Sequence, residues 1–220
     1  MALADAQAVI FDVDGVLVDS EYVFLTSVQH YLATQGIDED WRSLARFIGK
    51  PEYEISSMVR EEYGLTRFTR EQVSEGLYGL ASNYAQLGSL PPMPGVLEFL
   101  DWLDQRGILT GIGTSGTPAR VQMICDGMGC THRFDVLATF EDTGVGKPDP
   151  AIFNVAAERL VALGVNRNRI VVVEDSPNGI ASARAAGLYV VGFKGSQIQQ
   201  DTSDADVEVA SFAELQALMA

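Results

Sequence analysis

The chain has 220 residues, 47% hydrophobic and 9% aromatic, a composition typical of a folded globular protein rather than a disordered one. Thirty acidic residues against fifteen basic ones give a formal charge of −15, which argues against nucleic acid or an anionic membrane as a partner. No apolar stretch approaches the ~20 residues that span a bilayer, and the first residues lack the features of a signal peptide. Because the two cysteines, Cys125 and Cys130, match no common metal or redox spacing, we expect a reducing compartment, the cytoplasm.

A short apolar run near the N-terminus, residues 9–11, ends in two aspartates, Asp12 and Asp14, which are followed directly by Gly15. Such a run is typical of a buried strand in a parallel sheet. Open α/β sheets bind their ligands at the carboxyl ends of their strands. We therefore expect the two aspartates to carry the chemistry of the protein.

Helical patterns follow the first strand, and no strand is predicted between residues 20 and 90. The apolar spacing and the glycine and proline positions predict helices over residues 20–36, 39–47, 51–63 and 69–87. A helical block in this place indicates a cap domain over residues 20–90, inserted into a core formed by residues 1–19 and 91–220. The chain is expected to enter the cap near 18–20 and to leave it through the proline-rich segment 91–95.

From residue 95 onward, helical and strand patterns alternate. Strands are predicted over residues 108–113, 136–139, 170–173 and 189–192. Helices are predicted over residues 96–107, 117–126, 149–163, 177–186 and 212–218. This alternation predicts an α/β fold, a Rossmann-like parallel sheet with helices on both faces.

Polar side chains follow four of the predicted strands. In chain order they are Asp12 and Asp14, Thr114 and Ser115, Lys147, and Glu174 and Asp175. Each has an ordinary structural explanation when taken alone, such as a helix cap for the threonine and serine or a solvated loop position for the lysine. Because the carboxyl ends of parallel strands emerge at one edge of a sheet, we expect these residues to form one shared site.

Four carboxylates beside a single lysine repel one another unless some are protonated or a cation is bound. Oxygen ligands favour a hard divalent ion such as Mg²⁺, and the lack of nearby histidine or cysteine argues against zinc. A carboxylate can attack phosphorus, and a second acid can exchange protons with the leaving oxygen and with water, which suits Asp12 and Asp14. Lys147 and Thr114 would stabilise the charge on the transferred phosphoryl group.

These segments resemble the four sequence motifs of the haloacid dehalogenase-like hydrolases. The matching residues are 11–21, 113–115, 146–150 and 173–179, in the family's order and over nearly the whole chain. The resemblance implies a Rossmann-like core with Asp12 as the nucleophile and Asp14 as the acid/base. The presence of both aspartates separates the chain from the dehalogenases that named the family, which lack the second one.

The resemblance also implies a ligand set for the metal and for the phosphate. Mg²⁺ would be held by the Asp12 carboxylate, the Asp14 main-chain carbonyl and Asp175, with Glu174 in or just outside the coordination shell. The phosphate group would contact Thr114, Ser115 and Lys147.

The family includes phosphatases of small metabolites and the β-phosphoglucomutases, which share the core residues. Mutases of this type carry a histidine at the position of Phe24. They also carry a basic residue just before the glycine of the cap loop, where this chain has Ile48 before Gly49. We therefore expect a phosphatase for a small phosphomonoester such as a sugar phosphate, in a monomer or weak homodimer. The alternatives are a phosphosugar mutase and a non-catalytic relative that binds a metabolite or a partner.

Three residues of the predicted cap are candidates for contacts with the substrate: Glu21, Arg46 and Lys50. Solvated charges at helix ends explain Arg46 and Lys50 equally well.

Residues 111–116 match the G-x-G-x-x-G pattern of dinucleotide-binding loops. Gly111 and Gly113, however, fall inside a predicted strand rather than in the turn after it. We expect these glycines to allow close packing beside the first strand, and a dinucleotide site is the less favoured interpretation.

Overall fold

The computed structural model describes residues 3–48, 52–86 and 90–220. The chain divides into two compact units. The larger unit comprises residues 1–19 and 91–220, and the smaller one comprises residues 20–90.

The larger unit contains a parallel sheet of six strands among the described residues. The strands are β1 (Ala8–Phe11), β2 (Leu109–Gly113), β3 (Val136–Ala138), β4 (Ile170–Glu174), β5 (Tyr189–Phe193) and β6 (Val207–Val209). Their order across the sheet is β3-β2-β1-β4-β5-β6, so the direction of winding reverses between β1 and β4. Such a reversal opens a crevice beyond the carboxyl ends of the two strands, where doubly wound sheets bind their ligands.

The helices are named in chain order through both units. They are α1 (Ser20–Thr34), α2 (Glu52–Glu62), α3 (Arg70–Gln86), α4 (Val96–Asp104), α5 (Pro118–Met128), α6 (Phe140–Thr143), α7 (Ala151–Ala162), α8 (Pro177–Ala185) and α9 (Phe212–Met219). Short 3₁₀ helices lie at Leu3–Asp5, Ser43–Phe47 and Arg167–Arg169. No described helix is both long and apolar enough to cross a membrane.

Helices cover both faces of the sheet because the side chains of a strand point alternately to its two sides. Ala8 and Ile10 of β1 join a buried cluster with residues of α7 and α8. On the opposite face, the ring centroid of Phe11 lies 6.1 Å from that of Phe99 in α4 and 6.3 Å from that of Phe212 in α9. The predicted α/β class with two helical layers is thus confirmed.

The glycines of β2 leave room for side chains of β3 and helix α7, in addition to the first strand beside which close packing was predicted. A Cβ atom at Gly111 would lie 2.6 Å from Val136 Cγ2, and one at Gly113 would lie 2.9 Å from Phe153 Cε1 and 3.2 Å from Ile10 Cγ2. Both positions belong to the strand itself rather than to a turn after it.

The smaller unit is helical and has a core of its own. Helix α3 packs against both α1 and α2. Leu25 and Val28 of α1 and Leu77 of α3 are buried, and the ring of Phe24 stacks on that of Tyr78 at a centroid distance of 5.0 Å.

One local prediction needs correction, and two short elements were missed. The helix expected over residues 39–47 is only a 3₁₀ helix over Ser43–Phe47, after a turn. Helix α6 and strand β6, of four and three residues, were not predicted: α6 is a single turn, and β6 (Val-Glu-Val) lacks the all-apolar run that marked the equally short β3. Residues 51 and 87, the predicted ends of two helices, lie outside the described residues.

Candidate active site

The ends of three neighbouring strands carry polar residues at one edge of the sheet. Asp12 follows β1, Thr114 follows β2, and Glu174 is the last residue of β4. The Asp12 N–H donates to the Val173 carbonyl at 3.0 Å, and the Thr114 N–H donates to the Ala138 carbonyl at 3.0 Å. The strand hydrogen bonding thus continues to the residues of the site and fixes their main chains.

Lys147 forms ion pairs with the acidic residues at the ends of β1 and β4. Its Nζ atom lies 2.6 Å from Asp12 Oδ1 and 2.6 Å from Glu174 Oε1. The three side chains are buried, with exposed fractions of 8% for the lysine, 12% for Asp12 and 0% for Glu174. The ammonium group also lies 4.7 Å from the ring centroid of Phe153, within the range of a cation–π contact.

The loop that carries Lys147 is tied to the loop after β2. The Lys147 main-chain N–H donates to Ser115 Oγ at 3.3 Å. In the same loop, the Gly116 N–H donates to Thr114 Oγ1 at 3.0 Å. The three residues predicted to contact phosphate therefore lie on two loops that are in direct contact.

Burial and charge act against each other at this ion pair. Burial raises the pKa of Asp12 to about 7, and the neighbouring carboxylates add to this effect, while Lys147 lowers it in part. Burial lowers the pKa of Lys147, but the carboxylates of Asp12 and Glu174 outweigh it and raise that pKa above its ordinary value. The lysine is therefore fully charged at neutral pH, and Asp12 binds a proton far more readily than an ordinary aspartate.

Glu174 is held in place at the first turn of α8. Its Oε2 accepts hydrogen bonds from the Ser176 N–H and hydroxyl, both at 3.0 Å, and the Ser176 hydroxyl in turn accepts from the Gly179 N–H at 3.1 Å. A Cβ atom at Gly179 would fall 1.7 Å from Glu174 Oε1. The carboxylate thus occupies space that any side chain at residue 179 would fill, near the positive end of the helix dipole.

Asp175 faces the loop that follows β1. Gly15 has φ +77°, and a Cβ atom there would lie 1.9 Å from Asp175 Oδ2. Carboxylate oxygens of Asp12, Glu174 and Asp175 lie within 4.8 Å of one another. Three buried carboxylates with one lysine leave a formal charge of about −2, which favours a cation, and the all-oxygen donor set fits a hard divalent ion.

Asp14 has a partner that the sequence did not indicate. The carboxylate lies two residues beyond Asp12, is 38% exposed, and its Oδ1 is 2.6 Å from Nη2 of Arg120 in the first turn of α5. Arg120 belongs to none of the four motifs. The only sequence signal was its place in the helix that follows the second predicted strand.

The cap candidates lie in the smaller unit. Glu21 is in the first turn of α1 and is partly buried. The guanidinium of Arg46 contacts the Glu62 carboxylate and donates to Tyr63 Oη at 2.9 Å, both within that unit. Lys50 lies outside the described residues.

Comparison with known proteins decides the family. The sequence profile of the haloacid dehalogenase-like hydrolases matches residues 6–187. The chain belongs to this family. The resemblance noted in the motifs is thereby confirmed, and with it the prediction of an enzyme of the hydrolase class.

Two phosphatases among the relatives agree with a phosphoric monoester hydrolase, and one structural neighbour is named as a mutase. The chain is 29% identical to validoxylamine A 7′-phosphate phosphatase from Streptomyces hygroscopicus subsp. limoneus over 94% of each chain. It is 28% identical to hexitol phosphatase B from Escherichia coli strain K12, over 96% of this chain and 94% of the relative. A predicted beta-phosphoglucomutase from Thermotoga maritima has a similar structure, with a TM-score of 0.80 and 26% identity over 96% of this chain and 98% of that one.

Proposed function

We propose that this protein is a Mg²⁺-dependent phosphatase that hydrolyses a small phosphomonoester, such as a sugar phosphate, through an aspartyl-phosphate intermediate. The observation that carries the proposal is the buried ion pair of Lys147 with Asp12 and Glu174, beside Asp175 at the reversal between β1 and β4. The phosphatases among the relatives support the same class of reaction.

In the first step, a carboxylate oxygen of Asp12 forms a bond to phosphorus. The bond between phosphorus and the leaving oxygen breaks, and its electron pair stays on that oxygen, which takes a proton from Asp14. In the second step, water attacks the aspartyl-phosphate and gives a proton to Asp14. The bond between phosphorus and Asp12 then breaks, which frees phosphate and restores both carboxyl groups.

The surrounding side chains stabilise the charge that moves in these steps. Lys147, which is held between Asp12 and Glu174, would contact phosphoryl oxygens as Asp12 becomes esterified. Thr114 and Ser115, on the loop bonded to that of Lys147, are the other proposed phosphate contacts. These groups need little rearrangement because they are already fixed by hydrogen bonds.

The residues present fit Mg²⁺. Asp12 and Asp175 would supply carboxylate oxygens and Asp14 its main-chain carbonyl, whereas Glu174, which already binds Lys147 and Ser176, would stay just outside the shell. When bound, the ion would offset negative charge and bring a phosphate oxygen towards the nucleophile.

The helical unit, residues 20–90, is proposed as the cap that selects the rest of the substrate. Glu21 and Lys50 are kept as candidate contacts. Arg46 is the weakest candidate, because Glu62 and Tyr63 already bind its guanidinium.

A phosphosugar mutase is the second candidate, and the structural similarity to a predicted beta-phosphoglucomutase favours it. Against it, Phe24 stands where such mutases carry histidine, and this ring stacks on Tyr78 inside the helical unit. Phosphorus NMR with β-glucose 1-phosphate separates the two activities, since a mutase isomerises the ester whereas a phosphatase releases inorganic phosphate.

The direct test is phosphate release from a panel of phosphorylated metabolites in the presence of Mg²⁺. Wild type is expected to hydrolyse at least one of them, and Asp12→Asn should be inactive because the nucleophile is lost. Asp101→Asn, which changes a surface carboxylate bound to Arg133, is the matched control and should keep full activity. Turnover by Asp12→Asn at the wild-type rate, or no release by wild type from any ester, would overturn the proposal.

A further inference from the structure

The two aspartates of the first motif are bound by different cations. Asp12 pairs with Lys147 at 2.6 Å, and Asp14 pairs with Arg120 at 2.6 Å. The cations come from separate elements, the loop before α7 and the first turn of α5. The two carboxylates thus have different cationic partners although only one residue separates them in the chain.

The position of Arg120 is determined by the start of α5. Thr117 caps this helix by accepting from the Arg120 N–H at 3.3 Å, and Pro118 occupies the first turn. A Cβ atom at Gly116 would lie 3.6 Å from Arg120 Cδ and 3.4 Å from Thr114 Oγ1. The aliphatic part of Arg120 therefore lies close to Gly116 in the loop after β2, and its guanidinium reaches Asp14.

We propose that Arg120 is a positioning residue: its guanidinium, which contacts Asp14 Oδ1, holds the Asp14 carboxyl in the orientation from which this group exchanges a proton with the leaving oxygen. The inference rests on the proposed function, because Asp14 has an acid/base role only if the chain hydrolyses phosphomonoesters. Arg120 acts through Asp14 and not on the phosphoryl group, which Lys147 and Thr114 are proposed to contact.

The choice of substrate gives a readout that a merely structural role would not change. An alkyl phosphate has a basic leaving oxygen that needs a proton as it departs, whereas p-nitrophenyl phosphate releases a stable anion that does not. Arg120→Gln should therefore lower kcat/KM about tenfold to a hundredfold for the alkyl ester that wild type hydrolyses best, which is less than the roughly 10²–10⁴-fold that a general acid itself contributes. For p-nitrophenyl phosphate the loss should stay within about threefold.

A double-mutant cycle tests whether Arg120 acts through Asp14. In the Asp14→Asn background, Arg120→Gln should cause no further loss with the alkyl ester, because the group that it positions has already been removed. Arg120→Lys keeps the positive charge and should recover part of the activity. Arg133→Gln, which breaks a 2.7 Å ion pair with Asp101 elsewhere in the same unit, is the control and should match wild type with both esters.

If wild type is active, any of three results would overturn this inference and leave the proposed function standing. They are equal losses of kcat/KM with both esters, a rise in KM without a fall in kcat, and additive losses in the double mutant. If Arg120→Gln does not fold, Arg120→Lys is measured in its place and must show the same dependence on the leaving group. If wild type hydrolyses neither ester, the proposed function fails and the inference fails with it.

Discussion

Asp12→Asn should gain stability relative to wild type as the pH rises, when both are measured without metal. Asp12 is 12% exposed, and burial raises its pKa from 3.8 to about 7 despite the ion pair with Lys147. The folded protein therefore binds a proton at this carboxyl more tightly than the unfolded chain does. As pH rises from about 4 to about 7, this preference is lost and the free energy of unfolding of wild type decreases.

The size of the effect follows from the two pKa values. A difference of about three pH units, at 1.36 kcal/mol per unit, corresponds to about 4 kcal/mol at pH 8. Asp12→Asn cannot titrate at this position, so its free energy of unfolding should rise relative to that of wild type by up to about 4 kcal/mol between pH 4 and pH 8. Lys147 stays charged over this range. Its lost ion pair therefore changes the free energy of unfolding of Asp12→Asn by the same amount at every pH and does not alter how the difference from wild type depends on pH.

Urea unfolding in EDTA, followed by circular dichroism at several pH values, measures this difference. Asp101→Asn, which removes one exposed carboxylate, serves as the control for the loss of a surface charge. Excess Mg²⁺ at pH 8 should then stabilise wild type more than Asp12→Asn, because an ion that binds only the folded state stabilises it in proportion to its affinity. Parallel profiles for wild type and Asp12→Asn, or a wild type that gains stability over the variant as pH rises, would refute the reasoning.

Two further substitutions probe the support of the site. Gly179→Ala should lower phosphatase activity at least tenfold, because the new Cβ atom falls 1.7 Å from Glu174 Oε1 and turns that carboxylate away from Lys147. Gly79→Ala is the control, because a Cβ atom at this helical position meets nothing within 4 Å. It should keep full activity and raise the free energy of unfolding by up to about 1 kcal/mol. Steady-state kinetics and urea titrations measure both variants. Phe153→Leu should lower the free energy of unfolding by about 1–2 kcal/mol through the lost cation–π contact and poorer packing, and an unchanged urea midpoint would contradict this.

The sequence was informative wherever a strand ended in a charged residue. The apolar runs before Asp12 and Glu174 are fully buried strands, and their burial is what made them recognisable without alternation. Because parallel strands present their carboxyl ends at one edge, it was possible to predict that these residues and Lys147 lie together. The roles assigned to them remain predictions for the experiments above.

Other features had no local signal. Arg120 reaches Asp14 from 106 residues away, and nothing in its neighbouring residues indicates that contact. Thr114 and Ser115 were considered as helix caps, but the residue that caps α5 is Thr117. The predicted helix over residues 39–47 is only a short 3₁₀ helix. A few apolar residues at helical spacing do not distinguish an α-helix from a 3₁₀ helix, because tertiary packing can override local preference.

The wide separation of the site residues along the chain also bears on folding. Lys147 lies 135 residues from Asp12 and 27 from Glu174, and β1 pairs with strands that begin at residues 109 and 170. Contacts between such distant segments require the closure of long loops and form slowly compared with local helices. Asp12, the proposed nucleophile, therefore acquires its surroundings only when β1 docks between β2 and β4. The return of activity during refolding should then report the assembly of the central sheet and not the earlier formation of helices.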